Sequence, residues 1–133
     1  MGKARSQAAQ GVTLDTGALI ALDRGDKRMI ALLQAAVTER SVFRVPAGVV
    51  AQAWRSGPTQ AVLARFLRSE SVTIVALDGE HARACGELCA ATRTSDVIDA
   101  SVVITARTHR DPIITSDVDD IRRLDPSSKL IAI

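Results

Sequence analysis

Hydrophobic and polar positions along this chain switch between a period of two and a helical period, and each switch marks an element. Residues 11 to 15, GVTLD, form a short β-branched and apolar run, and the ALIAL string after Gly17 is helical, so the first unit reads strand, turn, helix. After Asp26, apolar Met29, Ile30, Leu32, Leu33, Ala36 and Val37 predict a helix over residues 27 to 38. Residues 42 to 45 are the next strand, and Pro46 punctuates it before AGVVAQAWR, a short helix carrying Gln52 that Gly57 and Pro58 end. Residues 59 to 68 are helical again, and 72 to 77 run apolar as a buried strand. Asp78 is the expected cap of a helix through Cys89, and another helix begins near Val97. A strand over 112 to 115, a short helix through Leu124 and a last strand over 129 to 133 complete the chain. Strands alternating with helices, without internal repeats, predict an α/β fold: a mainly parallel sheet of four to five strands flanked by helices.

Composition narrows the function classes. At 133 residues and 47% hydrophobic, the chain suits a single domain over residues 11 to 133. Residues 1 to 10, MGKARSQAAQ, lack the apolar centre of a signal peptide and read as a disordered arm. No apolar run is long enough to span a bilayer, so a cytoplasmic location is expected. A net charge of +2 excludes a whole-surface polycation but leaves room for a local phosphate-binding rim. Arg24, Lys27, Arg28, Arg44 and Arg55 are its candidates, with solvated helix faces as the plain alternative. The aromatic set is Phe43, Trp54 and Phe66, too few for a base-stacking platform, so any nucleic acid would be held through phosphate and metal. Cys85 and Cys89, four apart, share one helical face as buried thiols, and His81 and His109 lack metal-ligand spacing.

The chemistry lies in the acids. Asp96 and Asp99 share one face of a helix's first turn, while Asp117, followed by Asp119 and Asp120, comes directly after the strand at 112 to 115. Asp15 also ends a strand. Helix capping explains each acid taken alone. Taken together, Asp15 and Asp117 fall where the crevice of a parallel sheet forms, and Asp99 comes from a helix start. Carboxylates converging there repel one another unless a cation neutralises them, and an oxygen-only set selects a hard ion, Mg²⁺ or Mn²⁺. Such an ion supports in-line attack of water on a phosphodiester. The chain has no GxSxG elbow, no GxxxxGK[ST] loop and no GxGxxG fingerprint. A phosphotransfer domain with Asp15 as acceptor is a rival, although haloacid-dehalogenase phosphatases usually carry a second acid where this chain has Gly17.

The segments LDTGALIAL, DASVVITAR and TSDVDDIRRL resemble the PIN domain, and within it the VapC-type toxins of toxin–antitoxin pairs. The resemblance covers about Val12 to Ile133 and implies a metal-dependent ribonuclease with an RNA substrate, a cognate antitoxin and a homodimer. Carried over by position, Asp15, Asp99 and Asp117 are the metal-ligating and catalytic acids. Thr16, Thr115, Ser116, Asp96 and Asp119 stand around them as outer-shell residues. One position departs: Gln52 stands where most of the family places an acid, keeping an oxygen but losing a charge. That departure motivates an alternative, a weakened PIN module that binds RNA or a protein partner without cleavage.

Overall fold

The computed structural model describes residues 10–133. Their elements run β1 (Gly11–Leu14), α1 (Thr16–Asp23), α2 (Lys27–Thr38), β2 (Val42–Pro46), α3 (Ala47–Ala53), a 3₁₀ turn (Gly57–Thr59), α4 (Ala61–Leu67), β3 (Val72–Val75), α5 (Gly79–Thr92), α6 (Val97–His109), β4 (Ile113–Thr115), α7 (Val118–Leu124) and β5 (Leu130–Ala132). Of the expected arm, residues 1 to 9 lie outside the described residues, while the Gln10 carbonyl accepts from the Val42 amide and continues the β1 ladder.

The five strands lie in the order β3-β2-β1-β4-β5, and every neighbouring pair is parallel. The chain therefore builds outward from β1 through β2 to β3, then returns to β1's other side for β4 and β5. That reversal makes the junction of β1 and β4 the switch point, where parallel sheets open a crevice beyond their carboxyl ends. Asp15 follows β1 and Asp117 follows β4, so both stand at this junction.

The local reasons for the helices are legible. Asp15 accepts from the Ala18 amide at 2.9 Å, Asp26 from Met29 at 2.8 Å, and Asp78 from His81 at 2.8 Å, each relieving the unpaired donors of a first turn. Helix α6 packs on β1, β2 and β4, burying Ala100, Val102, Val103 and Ala106, while Leu14, Phe43, Val45, Ile113 and Ile114 fill the sheet side of the core. Cys85 and Cys89 are buried free thiols, as their spacing suggested.

Three expectations change. The 72–77 run is not a buried strand: β3 is an edge strand, Ile74 is 43% exposed, and Leu77 lies beyond the strand and in solvent. Helix α3 stops at Ala53, because Trp54 takes an extended backbone, and Gly57 and Pro58 form a separate 3₁₀ turn. Arg44 is no phosphate rim. Its guanidinium is buried and donates to Asp111 at 2.7 Å, and Asp111 also accepts from the Thr13 hydroxyl at 2.8 Å. A Cβ at Gly11 would come within 2.2 Å of Arg44 Nη1, so the bare glycine makes room for this pair. Arg24, Lys27, Arg28 and Arg55 are exposed.

Candidate functional site

Two helix starts and two strand ends supply the acids. Asp96 caps α6, accepting from the amides of Ile98 at 3.1 Å and Asp99 at 2.9 Å. Asp99 stands in that first turn, half-buried. Asp117 occupies the cap position of α7, yet its side chain makes no capping bond. Its own amide instead donates to the Thr115 hydroxyl at 2.7 Å, which fixes the turn and leaves the carboxylate unspent. One turn on, Asp120 shares Asp117's face of α7. Carboxylate oxygens of Asp99, Asp117 and Asp120 all lie within 4.8 Å of one another.

Asp15 is 2% exposed and borders this group without joining it at that spacing. Its charge reaches Asp99, and that of Asp117 reaches it. Thr115 is fully buried, and its hydroxyl, with the backbone amides of Ala18 and Ser116, favours the Asp15 anion. Ser116 abuts Gly17 so closely that a Cβ there would fall 1.8 Å from its Oγ; the loop after β4 can reach α1 only because residue 17 has no side chain. Thr16 donates its hydroxyl to Gln52 Oε1 at 2.5 Å, tying α3 to the start of α1 beside Asp15. Gln52 is thus exposed but anchored. Asp119, picked out in the sequence, is exposed and outside the cluster; Asp120, its neighbour, is the acid that joins it. The Asp117 to Asp120 spacing, the same as Asp96 to Asp99, was the available signal.

Crowding is written into the acidities. Asp99 is pushed from 3.8 up to about 7, first by burial, then by Asp96 beside it, with Asp15 and Asp117 adding. Asp15 is raised as well, chiefly by burial, with Asp117's charge adding and its hydrogen bonds opposing. A carboxyl that holds its proton more tightly when folded stabilises the fold fully below its unfolded value of 3.8 and loses that contribution as pH rises through about 7. The ion-free protein is therefore expected to lose melting temperature between about pH 4 and about pH 7, a loss reduced in Asp99→Asn and reversed by Mn²⁺. Thermal melts in chelator and in Mn²⁺ check this; equal pH dependence in wild type and Asp99→Asn would contradict it.

Clustered like charges on oxygen donors fit a hard divalent cation, which relieves their repulsion and satisfies their lone pairs. The PIN domain model matches residues 12–125. The chain belongs to the PIN domain family. PIN domains are generally metal-dependent nucleases, in keeping with the donor set here. Several solved structures share this fold. The structure of VapBC2 from Rickettsia felis bound to a promoter DNA fragment aligns with a TM-score of 0.68 at 15% identity, covering 91% of this chain and 97% of that one. FitAcB from Neisseria gonorrhoeae gives 0.65 at 18%, covering 90% and 96%. Mycobacterium tuberculosis VapC20, described as a sarcin-ricin loop cleaving toxin, gives 0.61 at 14%, covering 83% and 94%. No curated protein matches the chain. Among the described residues of this PIN domain, no helix is long and apolar enough to cross a membrane.

Proposed function

We propose that this chain is a metal-dependent endoribonuclease, the VapC-type toxin of a toxin–antitoxin pair, acting in the cytoplasm as a single-domain homodimer. The observation that carries the reading is the convergence of Asp99, Asp117 and Asp120, with Asp15 beneath them, at the switch point of the sheet. Asp15, Asp99 and Asp117, joined by Asp120, would hold Mg²⁺ or Mn²⁺. When bound, that ion supplies Lewis acidity, which acidifies water and offsets the charge gathering on the phosphorus of a phosphodiester. The chain's own residues organise the rest. Asp96 spends its oxygen on the α6 cap and so fixes Asp99, Thr115 fixes the backbone of Asp117, and Thr16 holds Gln52 at the rim. RNA as substrate is supported by the described activity of VapC20, and an antitoxin partner by the likeness to VapBC2 and FitAcB.

Gln52 supports a second reading, a weakened module that holds RNA or a protein without cutting it. A neutral oxygen already engaged by Thr16 offers an ion less than a carboxylate would. One experiment divides the two. Purified protein is incubated with end-labelled total RNA in Mg²⁺, in Mn²⁺ and in EDTA, and both fragments and retained RNA are followed. The nuclease yields fragments in the ions and none in chelator. RNA held equally in all three and never cut would reject the nuclease in favour of the module.

A further inference from the structure

The cavity beside the acids has a second kind of wall. It measures about 490 Å³ and is lined by Arg93 and Arg123 as well as Asp96, Asp99 and Asp120. Arg93 comes from the short connection between α5 and α6, whose backbone is pinned at both ends. The amides of Arg93 and Thr94 both donate to the Cys89 carbonyl, and Asp96 caps the next helix. Arg123 lies one turn beyond Asp120 on α7, on the same face. Two guanidiniums sharing a small cavity with three carboxylates have ready partners, yet neither is held. Among the described residues, neither Arg93 nor Arg123 makes an ion pair or a side-chain hydrogen bond. Attraction to helix carboxyl ends explains a cation at both places, but it explains Arg110 and Arg122 equally well, and those two do not line this cavity.

We propose that Arg93 and Arg123 form a clamp for backbone phosphates of single-stranded RNA next to the phosphodiester that is cut. This rests on the nuclease reading above. A guanidinium presents a planar fork that matches a phosphate's oxygens, and an exposed acidic centre needs fixed cations beside it if a polyanion is to approach. With so few aromatics in the chain, RNA must be gripped by its phosphates rather than by stacking.

The test is binding of a short fluorescent single-stranded RNA, read by anisotropy in Ca²⁺ over a series of salt concentrations. Arg93 sits at φ 58, a backbone glycine adopts freely, so Arg93→Gly removes the guanidinium without endangering the fold. Arg123→Gln is its companion. Each substitution weakens RNA binding several-fold, and the pair weakens it roughly tenfold or more. The slope of log affinity against log salt falls by about 1.4, at ~0.7 for each phosphate of a single strand that is no longer neutralised. Arg110→Gly, at φ 60 behind the opposite end of β4, and Arg122→Gln keep wild-type affinity and slope. A double variant that binds like wild type, or controls that fall equally far, overturns the clamp. So does a double variant that keeps RNA but loses an oligoglutamate peptide, which would assign the arginines to an acidic protein tail. Cleavage in Mg²⁺ is scored separately. Wild type that binds RNA through these arginines and never cuts leaves the clamp standing and rejects the nuclease, whereas cutting with unchanged affinity in the double variant rejects the clamp alone.

Discussion

Asp99→Asn and Asp15→Asn each lower RNA cleavage by on the order of a thousandfold or more, while the ion-free proteins fold at least as stably as wild type. The two halves of this expectation have one cause. Burial and neighbouring charge raise the pKa of both carboxyls, so each ionised carboxylate is a liability to the folded chain until a cation neutralises it. Asparagine keeps the shape, and at residue 15 it also keeps an oxygen to accept from the Ala18 amide, so the α1 cap survives. What disappears is the charge that holds the ion. Activity and ion-free stability should move in opposite directions, as expected where a site is built from strained groups. Parallel cleavage assays and melts in EDTA read both. A variant that cuts as fast as wild type would remove its acid from the site.

Asp111→Ala has the largest expected effect on stability, about 3–5 kcal/mol, although it lies far from the chemistry. Its side chain is 1% exposed and faces both the Arg44 guanidinium and the Thr13 hydroxyl, linking β2 and β1 to the amino end of β4. Deleting one member of a buried pair leaves the other's charge inside the protein without the carboxylate that faced it, and Thr13 loses its acceptor as well. Replacing both partners by apolar residues, Arg44→Met with Asp111→Leu, should recover much of the loss, because no charge is then buried. Urea denaturation of the two single variants and the double tests this. Single variants within about 1 kcal/mol of wild type would show the pair to be incidental.

The outline of the site was legible in the sequence because its acids mark ends of elements. Asp15 and Asp117 close apolar strands, and Asp99 opens a long apolar helix, so periodicity alone brings them near a parallel sheet's crevice. Which acid of α7 reaches the cluster was not legible from composition. Asp119 and Asp120 both lie in the first turn and both are exposed, and only the rotation of the helix on its neighbours brings Asp120 to the cluster. Arg44 was misread for a different reason. A strand arginine looks like a surface cation until its partner is known, and Asp111 lies 67 residues away with nothing local to announce it. The 72–77 run failed likewise, because whether a strand is central or at the edge depends on strand order, which local apolar pattern does not encode. Gln52 reads in sequence as a lost acid. In the structure its oxygen is committed to Thr16, which no spacing rule foretells.

Calorimetric titration of Mn²⁺ into wild type, Asp99→Asn and Asp117→Asn tests whether these carboxylates converge to hold a divalent cation. Wild type should bind the ion and release protons below about pH 7, because Asp99 must give up the proton that burial and its acidic neighbours force on it. Both variants should bind far more weakly, and Asp99→Asn should release fewer protons. Wild type that takes up no Mn²⁺, or variants that bind it as tightly as wild type, would mean that these carboxylates hold no ion.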